Sequence, residues 1–126
     1  MKMLKFTIKV APVTKKNHQK IIWNKRLNRP MVIPSPQYIQ YEKDAGWFMP
    51  KCETIEDKVN IKAVFYMPTK RRCDLVNLQE ALLDVLVKYG VIADDNYNIV
   101  HSMDGSYVDY DKENSRTEVE IWQIEN

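Results

Sequence analysis

Cysteine is scarce in this chain, and the two present, Cys52 and Cys73, have neither CxxC spacing nor a neighbouring histidine pair. That pattern argues against both a disulfide framework and a zinc site, and reduced thiols are the expectation. Long apolar runs are also missing: none approaches the roughly 20 residues that cross a bilayer as a helix, so a helical membrane protein is excluded. At the N-terminus the apolar residues Met3, Leu4, Phe6 and Ile8 are interrupted by Lys5 and stopped by Lys9, which breaks the continuous apolar segment of a secretory signal and makes a cytoplasmic location the expectation. No repeat, low-complexity tract or linker is visible. A chain of 126 residues then predicts one domain, 1–126, able to bury a core but too small to frame a cleft between two large domains; a second copy would enlarge any site.

Charge is uneven along the chain. A net charge of +2 is too small to imply a nucleic-acid partner, whereas its distribution does more. Lys15, Lys16, His18, Lys20, Lys25, Arg26 and Arg29 follow one another with no acid among them, and residues 104–125 are predominantly acidic. A basic run of this kind is either a solvated loop face or a phosphate-binding surface; Asn17 and Trp23 in the same stretch favour contact.

Hydrophobic periodicity places the elements. Leu4, Phe6, Ile8 and Val10 alternate as a half-buried strand that ends before Pro12. Residues 21–23 and 31–33 flank a polar, basic, turn-prone segment and predict a β-hairpin with a positive loop. Ser35 followed by Pro36 predicts a helix start, and Tyr38, Ile39, Glu42, Ala45 and Trp47 suit the helix, which Pro50 closes. Val59, Ile61, Ala63, Phe65 and Met67 alternate as the clearest strand. Leu78, Leu82, Val85, Leu86 and Tyr89 recur at helical spacing over 75–89, with Gly90 as the stop. Asn77, Glu80, Asp84 and Lys88 share the opposite side, acidic at the entry and basic at the exit as the helix dipole favours. Val76, Leu83 and Val87 form a second apolar stripe, for which a partner subunit is one cover. Residues 98–108 and 117–124 have strand character and are expected to pair as a hairpin. The sum is an α+β domain, one sheet packed by two helices.

The chemistry concentrates around the second helix. Lys70, Arg71 and Arg72 stand directly before Asp74 and Asn77, and Asp94 and Asp95 follow the helix. A divalent cation such as Mg²⁺ takes one or two protein carboxylates and completes its octahedron with water and phosphate oxygens, so acids beside bases read as metal-assisted attack on a nucleic-acid backbone. The alternative stays open: Asp74 caps the helix and the bases are solvated.

Four segments in order carry a resemblance: Pro12, Thr14, Lys15, Lys16 and Asn17; Pro34 to Tyr38; Arg72, Asp74, Asn77 and Leu78; and Gly90, Asp94 and Asp95. The chain resembles the RusA family of Holliday junction resolvases from residue 12 to about 100, the helix with its downstream Asp-Asp pair being the specific part. The resemblance implies a homodimeric, Mg²⁺-dependent endonuclease, with Mn²⁺ as a substitute cation, that binds four-way DNA junctions and nicks two opposing strands in recombination and repair; many such proteins belong to phages or prophages. By position, Asp74 matches the first aspartate of the family's Asp-x-Asp-Asn element, Asn77 its asparagine, and Asp95 the downstream aspartate, with Asp94 beside it. Val76 departs from the pattern where the second aspartate is expected, and Glu80 replaces a lysine.

Three readings of the departures remain. Glu80, one turn past Asn77, supplies the missing carboxylate; or the protein grips junctions but cleaves weakly or not at all for want of the ligand lost at Val76; or Asp74 and Asp95 suffice. On the active reading Asp74, Asp95 and Glu80 are catalytic and hold the metal, with Asp94 a further ligand, while Lys15, Lys16, Asn17, Arg26, Lys70, Arg71, Arg72 and Asn77 contact DNA. His18 and His101 are not assigned to catalysis, the latter being read as structural. Trp23, Trp47 and Phe48 are read as core in preference to base-stacking groups. Two other classes remain: a non-enzymatic DNA-binding or regulatory module, and a protein-interaction module using the helical stripe.

Overall fold

The computed structural model describes residues 3–14 and 20–124, and one strand organises it. Strand β4 (Val59–Met67) is buried on both faces for most of its length, with Ile61, Ala63 and Phe65 on one side and Asn60 and Val64 on the other. Such a strand belongs in the middle of a sheet. One edge of β4 takes β7 (Arg116–Gln123) antiparallel, from Val59 opposite Gln123 to Tyr66 opposite Arg116. The far edge of β7 takes β1 (Met3–Ile8), also antiparallel. The other edge of β4 takes two short strands in succession, both parallel to it: β5 (Val100–Ser102) near its start and β6 (Tyr107–Tyr110) near its end. The result is a mixed five-stranded sheet, the α+β domain expected.

One sheet face meets the helices. Ile8, Ile61, Phe65, Val119 and Ile121 form a single cluster with Tyr38, Tyr41 and Ala45 of α1 (Pro36–Ala45) and with Leu78, Ala81, Leu82, Val85 and Leu86 of α2 (Leu75–Lys88). Each of the Val, Leu, Ile and Phe side chains among them contributes about 1.5–3 kcal/mol by leaving water. The opposite face is polar: Glu120 pairs with Lys5 at 3.1 Å and Lys62 at 3.5 Å, and the Arg116 guanidinium lies 3.8 Å from the centre of the Tyr66 ring. Helix α1 starts as its sequence predicts, with the Ser35 hydroxyl accepting from the Tyr38 amide at 3.2 Å and Pro36 in the first turn, and runs into a 3₁₀ turn, Gly46–Phe48. A Cβ at Gly46 would stand 2.5 Å from the Tyr89 ring and displace it; that ring ties the two helix ends, its hydroxyl donating to the Glu42 carbonyl at 2.9 Å.

Several expectations need correction. The segments 98–108 and 117–124 do not pair as a hairpin. The first is split at residues 103–106, and its two halves bind β4 while β7 binds the other side of β4. The cause is polar: Asn60, buried within β4, donates to the Asp104 carbonyl at 3.2 Å and accepts from the Asp104 amide at 2.9 Å, and the Ser106 hydroxyl accepts from the Ala63 amide at 3.0 Å. These side-chain bonds replace the ladder and hold the turn containing Gly105, at φ +87°, against the strand. Trp23 and Trp47 are not core residues: Trp47 is 85% exposed and Trp23 58%, while Phe48 does pack on the core. The stripe of Val76, Leu83 and Val87 is also not open along its length, since Leu83 and Val87 pack on the core and Val76 alone is exposed. The predicted hairpin is present as β2 (Lys20–Asn24) and β3 (Arg29–Ile33), a two-stranded sheet of its own.

Helix α2 ends in a Schellman turn. The Gly90 amide donates to the Val87 carbonyl and the Val91 amide to the Leu86 carbonyl, at 3.1 and 2.9 Å, and Gly90 takes φ +72°, a conformation nearly free to glycine and costly to other residues. A Cβ at this position meets nothing nearer than the Thr54 hydroxyl at 3.6 Å. Gly90→Ala is therefore expected to destabilise the fold by about 1–2 kcal/mol through backbone strain alone, read as a lower urea midpoint with an unchanged m-value.

Candidate functional site

After β4 the chain turns at Pro68 and exposes Lys70, Arg71 and Arg72 before entering α2. Cys73 packs on the core and fastens the end of this loop. Between the loop and β6 lies a hollow of about 430 Å³ lined by Lys70, Arg71, Arg72, Val108, Asp109 and Tyr110. The Lys70 ammonium sits 5.1 Å from the centre of the Tyr110 ring, a cation–π contact that holds the amine on one wall. Among the described residues the three bases have no carboxylate partner, so their charge is open to an anion.

Asp74 occupies the N-cap position of α2, and its carbonyl accepts from the Leu78 amide at 3.2 Å. Its carboxylate makes no capping bond; instead it accepts from the Asn77 side chain at 3.3 Å. Capping is therefore not what this carboxylate does, and Asn77 orients it. Helical periodicity places Glu80 and Asp84 on the Asn77 side of α2, Glu80 exposed and Asp84 half-buried. Val76, standing where the resembled family has an aspartate, is 63% exposed and offers no ligand.

The Schellman turn delivers the chain to the second acidic group. Residues 91–93 are pinned beside Ile55, whose amide donates to the Val91 carbonyl at 3.0 Å and whose carbonyl accepts from the Ala93 amide at 2.9 Å. Asp94 and Asp95 follow at once. Asp94 accepts from the Asp95 amide at 2.7 Å and from the Asn96 side chain at 2.9 Å; the Asp95 amide first, then the Asp95 side chain and, more weakly, Asn96 hold its pKa below the usual carboxylate value. Asp95 moves the other way: partial desolvation comes first, then the Asp94 carboxyl, and, more weakly, the field of Asp84. Asp84 was read in the sequence only as a helix-dipole residue; its nearness to Asp95 depends on the chain folding back after Gly90, which spacing within α2 cannot reveal.

Asp84 and the Asp94–Asp95 pair thus stand within one another's field. Carboxylate oxygens are donors that fit a hard divalent cation. Among the described residues, however, no three His, Cys, Asp or Glu side chains come together as a metal-holding group. The donors present fit an ion held by one or two carboxylates and completed by water and phosphate, and not a cage made of protein alone.

Of the remaining sequence-assigned residues, Arg26 lies exposed at the turn of the β2–β3 hairpin. Lys15, Lys16 and Asn17, with His18, lie outside the described residues. His101 is exposed on β5, against its reading as a structural residue. Among the described residues no helix is long and apolar enough to cross a membrane.

The opposed shifts of the adjacent aspartates are directly testable. Carboxyl-carbon NMR titration is expected to find Asp94 losing its proton below, and Asp95 above, the ordinary aspartate range. By linkage, the Asp94 contribution to stability is present above its unfolded pKa and is lost as pH falls through its folded pKa; Asp95 has the opposite sign, costing stability as pH rises from its unfolded pKa through its folded one. Asp94→Asn is expected to lower the Asp95 pKa, and an unchanged value would contradict the assigned coupling.

Compared with known proteins, residues 9–122 match the family profile described as Endodeoxyribonuclease RusA. No curated protein matches the chain.

Proposed function

The chain belongs to the RusA endodeoxyribonuclease family, and from that premise we propose that it is a Mg²⁺-dependent endonuclease that binds four-way Holliday junctions in the cytoplasm and resolves them by paired symmetric nicks during recombination and repair. The observation that carries this reading is the junction of β4 with α2. A carboxylate at the N-cap, oriented by Asn77 and not used for capping, stands two residues beyond bases that have no carboxylate partner among the described residues.

Asp74 and Asp95 would hold the ion, with Glu80 and Asp94 as further oxygen donors. When bound, Mg²⁺ supplies polarisation of the scissile phosphate and a lowered pKa for its water. Hydrolysis forms a bond from the water oxygen to phosphorus and breaks the bond to the 3′-oxygen, which leaves with a proton, so the nick carries a 5′-phosphate. Lys70, Arg71 and Arg72 fix the strand by its phosphates and offset the charge developing on the phosphoryl oxygens; Lys15, Lys16, Asn17 and Arg26 track neighbouring backbone. A homodimer suits the substrate, because two symmetry-related sites match the approximate two-fold axis of a four-way junction.

A second reading is favoured by one observation. Without an aspartate at Val76 and without a three-carboxylate group among the described residues, the protein binds junctions but cleaves them weakly. The two separate in one experiment, with a labelled immobile junction in Mg²⁺, in Mn²⁺ and in EDTA beside a linear duplex. On the primary reading symmetric nicks require the metal, and Asp74→Asn and Asp95→Asn each lower the nicking rate at least about a hundredfold while junction binding in EDTA persists. On the second reading the wild type binds with weak nicking or none and Val76→Asp raises cleavage. Nicking that is indifferent to EDTA excludes both.

A further inference from the structure

Of the β2–β3 hairpin, only Arg26 at the turn takes part in the function proposed above, and the two strands have no part in it. Ile21 faces Val32 across the ribbon and Trp23 faces Pro30. Residues two apart and their cross-strand partners share a face, so these four side chains line one side together. That side is open: Ile21 is 75% exposed, and Trp23 and Val32 are 58% exposed. On the other side Asn24, Met31 and Ile33 are half-buried, while Ile22 is 43% exposed and Arg29 is exposed. An isolated two-stranded hairpin is marginally stable in water, and an apolar side with an exposed tryptophan is a surface to be covered.

Charge identifies the cover. The first 41 residues contain nine Lys and Arg and no acid, whereas the remaining 85 contain ten bases and seventeen acids. Lys25, Arg26 and Arg29 lie exposed at the turn beside the apolar side. If a second copy covered the hairpin with the two turns side by side, this turn would face itself, like charge on like charge. A nucleic acid offers both complements, phosphates for the bases and flat apolar base faces for tryptophan and isoleucine. In an intact duplex the base faces are stacked on one another; at a branch point stacking is interrupted, and an apolar wedge enters there at the lowest cost.

We infer that the open side of the β2–β3 hairpin is a base-stacking wedge, with Trp23 against the base pair bordering the branch point and Lys25, Arg26 and Arg29 on the flanking phosphates. This rests on the reading of the chain as a junction-binding protein and adds the element that distinguishes a branch from a linear duplex.

The test is made in EDTA, so that no strand is cut, with 2-aminopurine placed either at the branch point or about ten base pairs away, and with a linear duplex in parallel. The full chain is expected to raise fluorescence of the branch-point label alone. Trp23→Ala is expected to abolish that rise and weaken junction binding about tenfold, the scale of one lost base stack, with duplex binding changed less than about twofold. Trp23→Phe keeps most of both effects, separating stacking from misfolding. Changing Lys25, Arg26 and Arg29 together to Ala weakens junction and duplex binding alike and flattens the salt dependence. A Trp23→Ala protein that binds and unstacks the junction like the wild type overturns the wedge. So does one that sediments at half the wild-type mass with unaltered junction affinity, which assigns the apolar side to a second copy. If the wild type shows no preference for junction over duplex, the parent reading falls and the wedge with it, a result distinguishable from failure of the wedge alone.

Discussion

The structure depends on β4 being hydrogen-bonded along both edges. Antiparallel pairing with β7 covers one edge from Val59 to Tyr66, and the two parallel strands share the other. Parallel pairing demands that the chain leave the end of β4 and return to its start, and α2 is the crossover that does so. The positions of the basic loop and of Asp74 follow from this, since they are what lies between the end of a central strand and the beginning of its crossover helix. Asp94 and Asp95 follow as well, being placed where the crossover ends and the chain returns to the sheet.

Polar groups inside the sheet set where the returning chain may pair. Asn60 is buried within an otherwise apolar strand and is satisfied by Ser102 and by both backbone groups of Asp104. A buried side-chain amide without such partners costs about 1–3 kcal/mol per unsatisfied group, so the turn at 103–106 is held against β4 and the strand is divided into β5 and β6. The division places Tyr110 beside the basic loop, where the Lys70 ammonium lies over its ring.

Electrostatics divides the molecule in a second way. The acids lie in the later two thirds of the sequence, yet on the outer face of the sheet three of them are paired with bases: Glu120 with Lys5 and Lys62, and Asp111 and Glu118 with Arg116. Among the described residues the bases of the loop before α2 and of the hairpin turn have no such carboxylate partner. Positive charge left open on one small domain is consistent with a ligand that brings phosphate.

Much of this was legible in the sequence. Period-two alternation located β1, β4 and β7, the Ser35-Pro36 pair located the start of α1, and apolar spacing with Gly90 located α2, because burial of a repeating face and termination by a left-handed glycine are local demands that leave a local record. The basic loop, Asp74 and the Asp94-Asp95 pair were also visible as residue types in order. Strand partners were not. Residues 98–108 look like half of a hairpin with 117–124, and only the side-chain bonds of Asn60 and Ser106, made to residues more than forty positions away, assign them to the opposite side of β4. Exposure was not legible either: Trp23 and Trp47 have the composition of core residues, and whether a tryptophan is buried depends on what packs over it. The sequence by itself determined which segments are helix and strand and where charge is concentrated, since these depend on neighbours a few residues apart. The tertiary structure alone decided that Asp84 bears on Asp95, that the Asp74 carboxylate is not a cap, and that the hairpin has an uncovered side, because each depends on distances closed through space by the return of the chain.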